Sequence, residues 1–337
     1  MSTPFEKKNV LVTGGAGFIG SHICERLLKE NNHVICVDTF STSSERNIDH
    51  LLRFPDFEFL RLDINEVFDP ETLPELDRFK IKFQGIQEIY HLATPMSVKG
   101  FDTHVIETLH TNSIGTIRVL DLAKRYKSKF VLASSSVVYG GRQKDTPLFD
   151  ENFRGILDHM SPRGCYDEGK RFAETATQTY VQAYDLDAKI ARIFRTYGPR
   201  MPLNDGQMIP DFIVAALEDR ELQIFGDENF MTSLMYVDDA VSGLMKLMGA
   251  AKGLGAVNFG SDQDLRLVDV ASLILKTTNS KAKISFQPRL LFMTELGLPS
   301  IAKARDTLGW LPLTRLEEGL RKTIEYAKAH KFMTNGV

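Results

Sequence analysis

The chain has 337 residues, enough for one large α/β domain with a second lobe, and 41 basic against 44 acidic side chains leave a net charge of −3. That balance argues against a nucleic-acid or anionic-membrane surface as partner. Three cysteines (Cys24, Cys36, Cys165) lie far apart without metal-ligand spacing, and neither a signal peptide nor a membrane-spanning apolar run is present, so a metal-free cytoplasmic protein is expected.

The first predicted element is a short apolar strand, Asn9–Thr13, which breaks into Gly14, Gly15, Gly17 and Gly20. Ile19, Ile23 and Leu27 then recur at helical spacing, and a second apolar strand over 34–37 ends at Asp38. This βαβ unit has a turn that must let backbone approach a ligand closely. Gly14 permits the tight turn, Gly17 admits a pyrophosphate, and Gly20 lets helix and strand pack. The helix start offers unpaired N–H donors and partial positive charge to the phosphates. Asp38, about 20 residues past the glycines, suits a ribose 2′-hydroxyl and repels a 2′-phosphate. The expected cofactor is therefore NAD, met by Gly14, Gly17, Phe18, Ile19, Gly20 and Asp38.

Residues 41–49 read as a loop with a short helix, and 57–62 as a third strand. Asp63 after it is a candidate acceptor for the adenine amino group, with Ile64 on the ring; a helix N-cap is the alternative. The stretch 71–85 reads as a surface helix and loop. A strand over 87–93 points Leu92, Ala93 and Thr94 at the dinucleotide, with His91 either a base or packed beneath it. A long helix over 103–124 contains Asn112, a surface residue unless a catalytic lysine lies near enough to be anchored through water.

The strand 129–133 runs into Ser134-Ser135-Ser136-Val137, and a loop then leads to a helix over 166–184. Tyr166 and Lys170, four residues apart, share one face of that helix. A tyrosine with reference pKa near 10 is a poor base at neutral pH. A lysine one turn away and an oxidised nicotinamide favour its phenolate, which can take a proton from a substrate alcohol. Ser135 is placed to hold that alcohol. Further on come a strand over 189–195, a helix over 210–219, a strand over 222–225, helices over 236–248 and 267–277, strands over 257–259 and 283–286, and a last amphipathic helix over 316–329.

TGGAGFIG, HLA, SSSVVYG, YDEGK, YGPRM, YVDDAVSGL and LGW together resemble the extended short-chain dehydrogenase/reductase family, in its NAD-dependent sugar-nucleotide epimerase, dehydratase and decarboxylase branch. SPRGCYDEGKRFAET and ARIFRTYGPRM are most similar to the UDP-glucuronate decarboxylase group. The resemblance implies a doubly wound parallel-sheet Rossmann fold, with 1–194 and a returning 235–261 binding NAD. A smaller interleaved lobe, 195–234 and 262–330, would grip a nucleoside diphosphate sugar. It also implies tightly held NAD, catalytic Ser135, Tyr166 and Lys170 supported by Asn112, and a homodimer joined through helices 103–124 and 166–184. Ser134 and Thr94 fall beside the cofactor, and Ser136, Val137, Arg195, Arg200, Gln223 and Phe225 beside the substrate. The two arginines are placed for phosphates or a sugar carboxylate, unless they form surface salt bridges; residues 223–225 flank the nucleotide base or are simply a strand.

Several family positions differ here. Val137 stands where decarboxylases and dehydratases carry glutamate, and Ser136 where dehydratases carry aspartate. Thr232 replaces a decarboxylase arginine, Arg195 replaces an asparagine, Val98-Lys99-Gly100-Phe101 replaces a Pro-Pro-Asn-Tyr run, and Gly297 replaces a late arginine for which Arg289 is a candidate substitute. Without those carboxylates, 4-epimerisation or decarboxylation of a UDP-sugar or UDP-uronic acid is expected ahead of 4,6-dehydration. A non-catalytic NAD-binding relative is a further alternative, disfavoured by the retained Tyr166 and Lys170.

Overall fold

The computed structural model describes residues 7–95, 103–142, 148–203, 205–288 and 297–331. Seven parallel strands form the central sheet: β1 (Asn9–Thr13), β2 (His33–Asp38), β3 (Phe57–Arg61), β4 (Glu88–His91), β5 (Lys129–Ser135), β6 (Ala188–Ile193) and, further along the chain, Ala256–Phe259. Their spatial order is 3-2-1-4-5-6 followed by Ala256–Phe259, so the order reverses between β1 and β4. In an open parallel sheet, that reversal opens a crevice beyond the carboxyl ends of the strands. Val10, Leu11 and Val12 are all fully buried, as expected of a central strand covered on both faces.

Helix α1 (Phe18–Lys29) buries Ile23, Cys24 and Leu27 on one face of the sheet. On the other face lie Val105–His110, Thr116–Tyr126 and the 21-residue helix Gly164–Tyr184. The first two are joined by a single π-helical turn, Thr111–Gly115, so the long helix expected over 103–124 carries a bulge at Asn112. The 71–85 stretch is 3₁₀ turns and a four-residue helix rather than a full helix, because Pro70 and Pro74 restart the chain there.

Beyond β6, the chain builds a smaller layer. Met208–Leu217 and Leu267–Thr278 pack on the parallel pair Leu222–Phe225 and Ile284–Gln287, with Leu316–Lys331 behind. The helix Val237–Gly249 returns to the sheet and packs on α1. Asp239 there explains two of the sequence landmarks structurally: its carboxylate accepts from the N–H groups of Leu313 (3.0 Å) and Thr314 (3.1 Å). Its carbonyl accepts from the indole of buried Trp310 at 3.0 Å. Among the described residues, no helix is long and apolar enough to cross a membrane, and no cluster of three metal-binding side chains occurs.

Candidate active site

One cavity of about 950 Å³ runs from the glycine turn, past the ends of β4 and β5, to Gln223 and Phe225 in the second layer. At its first end the amides of Gly14 and Gly15 donate to Val37 (2.8 and 3.3 Å), folding the turn against β2. Gly14 has φ +69°, and a Cβ there would lie 2.7 Å from the Ala93 nitrogen. At Gly20 a Cβ would strike the Gly14 carbonyl. Backbone therefore packs on backbone here, and the space left before the α1 N-terminus suits a pyrophosphate. Asp38 lines the same end, fixed by the amides of Ala16 (3.0 Å) and Phe40 (2.9 Å) and by the Ser43 hydroxyl (2.7 Å). Asp63 and Ile64 line the far wall, and Asp63 also accepts from the Asn65 amide (2.8 Å), so the local turn and a ligand would share it. The donors, the carboxylate and the shape fit an NAD molecule.

In the middle of the cavity β5 ends at Ser135, and the next helix brings in Tyr166 and Lys170. Ser135 lies close enough to the Tyr166 hydroxyl to favour its phenolate, and both side chains line this part of the cavity. Lys170 Nζ donates to the Ala133 carbonyl (2.9 Å) and to Thr94 Oγ1 (2.7 Å). Thr94 Oγ1 in turn donates to Asn112 Oδ1 at 2.9 Å, and Asn112 is itself held by the Thr108 carbonyl at 2.9 Å. Asn112 does not line the cavity; it reaches Lys170 through a threonine hydroxyl rather than by touching cofactor. The π turn beginning at Thr111 sets Asn112 into that position.

The electrostatics differ from the simple expectation that Lys170 draws the phenol down. Burial pushes the Tyr166 phenol above its ordinary value, against the pull of Ser135 and Arg163. Burial also lowers Lys170 to about 7, with Glu174 opposing. The ammonium lies 5.9 Å from the centre of the Tyr166 ring. Burial is thus the largest influence on the phenol, and the opposing pull comes from Ser135 and Arg163 rather than from Lys170.

The remaining sequence-derived candidates separate cleanly. Phe18, Ile19, Leu92, Ala93, Ser134, Ser136, Val137, Arg195, Gln223 and Phe225 all line the cavity. Ser134 Oγ also donates to Glu174 at 2.6 Å. Arg200 is not among the lining residues: its guanidinium pairs with Glu25 of α1 and reaches His50 at 3.2 Å. The substrate contact expected for it is therefore replaced by an ion pair between elements. Val98-Lys99-Gly100-Phe101 and Arg289 lie outside the described residues. Gly297 is buried, and a side chain there would strike the ring of Phe149, so this chain has closed the position of the late arginine. Arg163, which the SPRGCYDEGKRFAET motif contains but to which the sequence assigned no site role, lines the cavity beside Pro162. Its signal was present: it sits one helical turn before Tyr166.

Residues 10–260 match the family model described as the NAD dependent epimerase/dehydratase family. A curated relative, UDP-glucuronic acid decarboxylase 1 of Xenopus tropicalis, is 38% identical over 321 residues, covering 95% of this chain and 72% of the relative. Among solved structures, UDP-glucuronic acid 4-epimerase from Bacillus cereus in complex with UDP-glucuronic acid and NAD superposes with a TM-score of 0.83 at 28% identity, covering 95% of this chain and 99% of that one. UDP-glucose 4-epimerase from Thermotoga maritima, with UDP-glucose, superposes with a TM-score of 0.83 at 27% identity, covering 96% and 99%. A glycine turn shaped for a dinucleotide, a Ser-Tyr-Lys set at the strand ends and a match over most of the chain agree: this protein belongs to the NAD-dependent epimerase/dehydratase family of enzymes.

Proposed function

We propose that this enzyme removes hydrogen from carbon 4 of a nucleoside diphosphate sugar and returns it, as a 4-epimerase or as a UDP-glucuronate decarboxylase. The observation carrying the proposal is the hydroxyl pair of Tyr166 and Ser135, set between the cofactor-shaped end and the lobe, with Lys170 one turn behind. Bound NAD supplies a hydride acceptor and donor. Ser135 holds the carbon-4 hydroxyl, and Tyr166 takes its proton. Lys170, fixed by Ala133, Thr94 and Asn112, supports the phenolate once the positive charge of the oxidised cofactor is added to its own. The same phenol gives the proton back when carbon 4 is reduced.

A carbon-4 ketone makes a uronic acid's carboxylate a β-keto acid, which loses carbon dioxide without a strong acid. Ser136 and Val137, both buried in the wall, carry no carboxylate to expel a hydroxyl, which disfavours dehydration. The curated relatives favour decarboxylation; the uncharged wall suits epimerisation equally. We take 1–194 with 235–261 as the cofactor unit and 195–234 with 262–330 as the substrate lobe. A cytoplasmic homodimer is part of the proposal: Ile106 and Leu109 on one helix and Phe172 on the other expose apolar surface at 62%, 45% and 42%. Incubation with UDP-glucuronate, UDP-glucose, UDP-galactose and dTDP-glucose, with products read by NMR, tests the reaction. Inversion at carbon 4 or loss of carbon dioxide is expected for at least one, and abolished in Tyr166→Phe. Failure to convert any of them, or undiminished turnover by Tyr166→Phe, rejects the reading.

A further inference from the structure

The substrate end of the cavity carries an unbalanced pair of cations. Arg195, just past the end of β6, has one side-chain hydrogen bond among the described residues, from Nη1 to the neutral hydroxyl of buried Thr232 at 2.7 Å. Arg163 reaches Asp167 from Nη2 at a long 3.3 Å, and its Nε is buried without a partner among the described residues. Both arginines line the cavity that Tyr166 and Ser135 line. The two guanidinium groups are close enough to repel: burial first, then Arg163, lowers Arg195 to about 10. The carboxylate of Asp211 lines the cavity as well, yet among the described residues no acid offsets the effect of Arg163 on Arg195.

Two neighbouring guanidinium groups, of which Arg163 alone meets a carboxylate among the described residues, favour an anion with two oxygens. A nucleotide sugar offers two such groups, the diphosphate and, in a uronic acid, the carboxylate on carbon 5. Position decides between them. Arg163 lies one turn before Tyr166, and Arg195 follows the strand paired with β5, two residues beyond the Ser135–Ile193 pair. Both therefore flank the reacting end of the sugar. Carbon 5 is the neighbour of carbon 4. The geometry points to Arg163 and Arg195 as a clamp for the carboxylate of a uronic acid, which makes them the residues that select an acidic sugar over a neutral one.

This assignment rests on the nucleotide-sugar reading above, and the two fail separately. Dissociation constants for UDP, UDP-glucose and UDP-glucuronate are measured by calorimetry on the NAD-loaded protein, its Arg195→Gln and Arg163→Gln variants, and Arg195→Lys. Wild-type protein is expected to bind UDP-glucuronate at least about tenfold more tightly than UDP-glucose. Each glutamine variant should lose on the order of tenfold to a hundredfold of affinity for UDP-glucuronate alone, the scale of a charge-assisted hydrogen bond, with Arg195→Lys recovering part of it. UDP and UDP-glucose should change less than about threefold, which also shows that the variants are folded. Equal weakening of all three ligands would mean that the arginines hold the diphosphate, and no wild-type preference for the uronate would likewise overturn the clamp. Conversion of UDP-glucuronate, followed by NMR, gives a signal that reads the redox step independently. Selective binding without that signal leaves the clamp standing and rejects the proposed reaction. The signal without selectivity does the reverse.

Discussion

Lys170 owes its position to a relay that begins in a different helix. Asn112 accepts from Thr94, Thr94 accepts from Lys170, and Ala133 takes a second bond, so three elements fix one ammonium group. Thr94→Val preserves the shape and removes the relay. It should cost about 1–3 kcal/mol of the interaction, hence roughly tenfold to a hundredfold in turnover. Because a loosened Lys170 supports the Tyr166 phenolate less well, the acidic limb of the kcat/KM profile should also move to higher pH. Nucleotide-sugar affinity should change little, and an unaltered pH profile would show the relay to be structural only. His91, beside this relay, is no base: its ring nitrogens meet Thr13 Oγ1 at 2.7 Å and Thr116 Oγ1 at 3.1 Å, both inside the protein.

At the scale of elements, the glycine turn is the most sharply constrained. Gly14 combines a left-handed backbone with contact against the Ala93 backbone, so neither a shift in φ nor a side-chain rotation relieves a Cβ. Gly14→Ala should lower the melting temperature, and the purified protein should lose most of its NAD, assayed after acid release. Full cofactor occupancy in this variant would refute the pyrophosphate assignment. The helices Val105–His110 and Gly164–Tyr184 pack together under the sheet with their outer apolar side chains exposed. Leu109→Glu combined with Phe172→Glu places carboxylates in the proposed dimer seam. Sedimentation velocity should show the parent as a dimer and this variant as a monomer at micromolar concentration. A parent that sediments as a monomer ends the dimer proposal.

Over the whole molecule, two buried histidines are expected to lower stability in acid. Burial first, then the charge of Lys170, lowers His91 to about 3, while burial and Arg200 lower His22 to about 4. Above the unfolded-state value near 6.5, both residues are neutral in either state, and their contribution is fully present. As pH falls below 6.5, the unfolded chain binds protons that the native protein refuses, so stability falls until the folded values near 3 and 4 are passed. Each pH unit separating the folded from the unfolded value is worth about 1.4 kcal/mol, so the loss is on the order of a few kcal/mol. Urea denaturation across pH 4–7 should show that slope, and His91→Gln should flatten it. An identical slope in the variant would assign the acid sensitivity elsewhere.

What the sequence could determine was local. The glycine turn, Asp38 and the Tyr166–Lys170 pair each lie within one βαβ unit or one helical turn, where spacing alone dictates who faces whom. The parallel sheet was legible for the same reason, as apolar strands alternate with amphipathic helices along 9–193. Short pairings such as Met231–Thr232 with Leu265–Arg266, and the helix Ala302–Leu308, left no periodic trace. Tertiary structure decided the rest, because long-range packing chooses a side chain's partner. It turned Arg200 to Glu25, 175 residues away, and Arg195 to Thr232, 37 residues away. It routed Asn112 through Thr94 and filled the space at Gly297 with Phe149. It also set Arg163 near Arg195, since nothing short of the folded cavity brings a helix start and a strand end together.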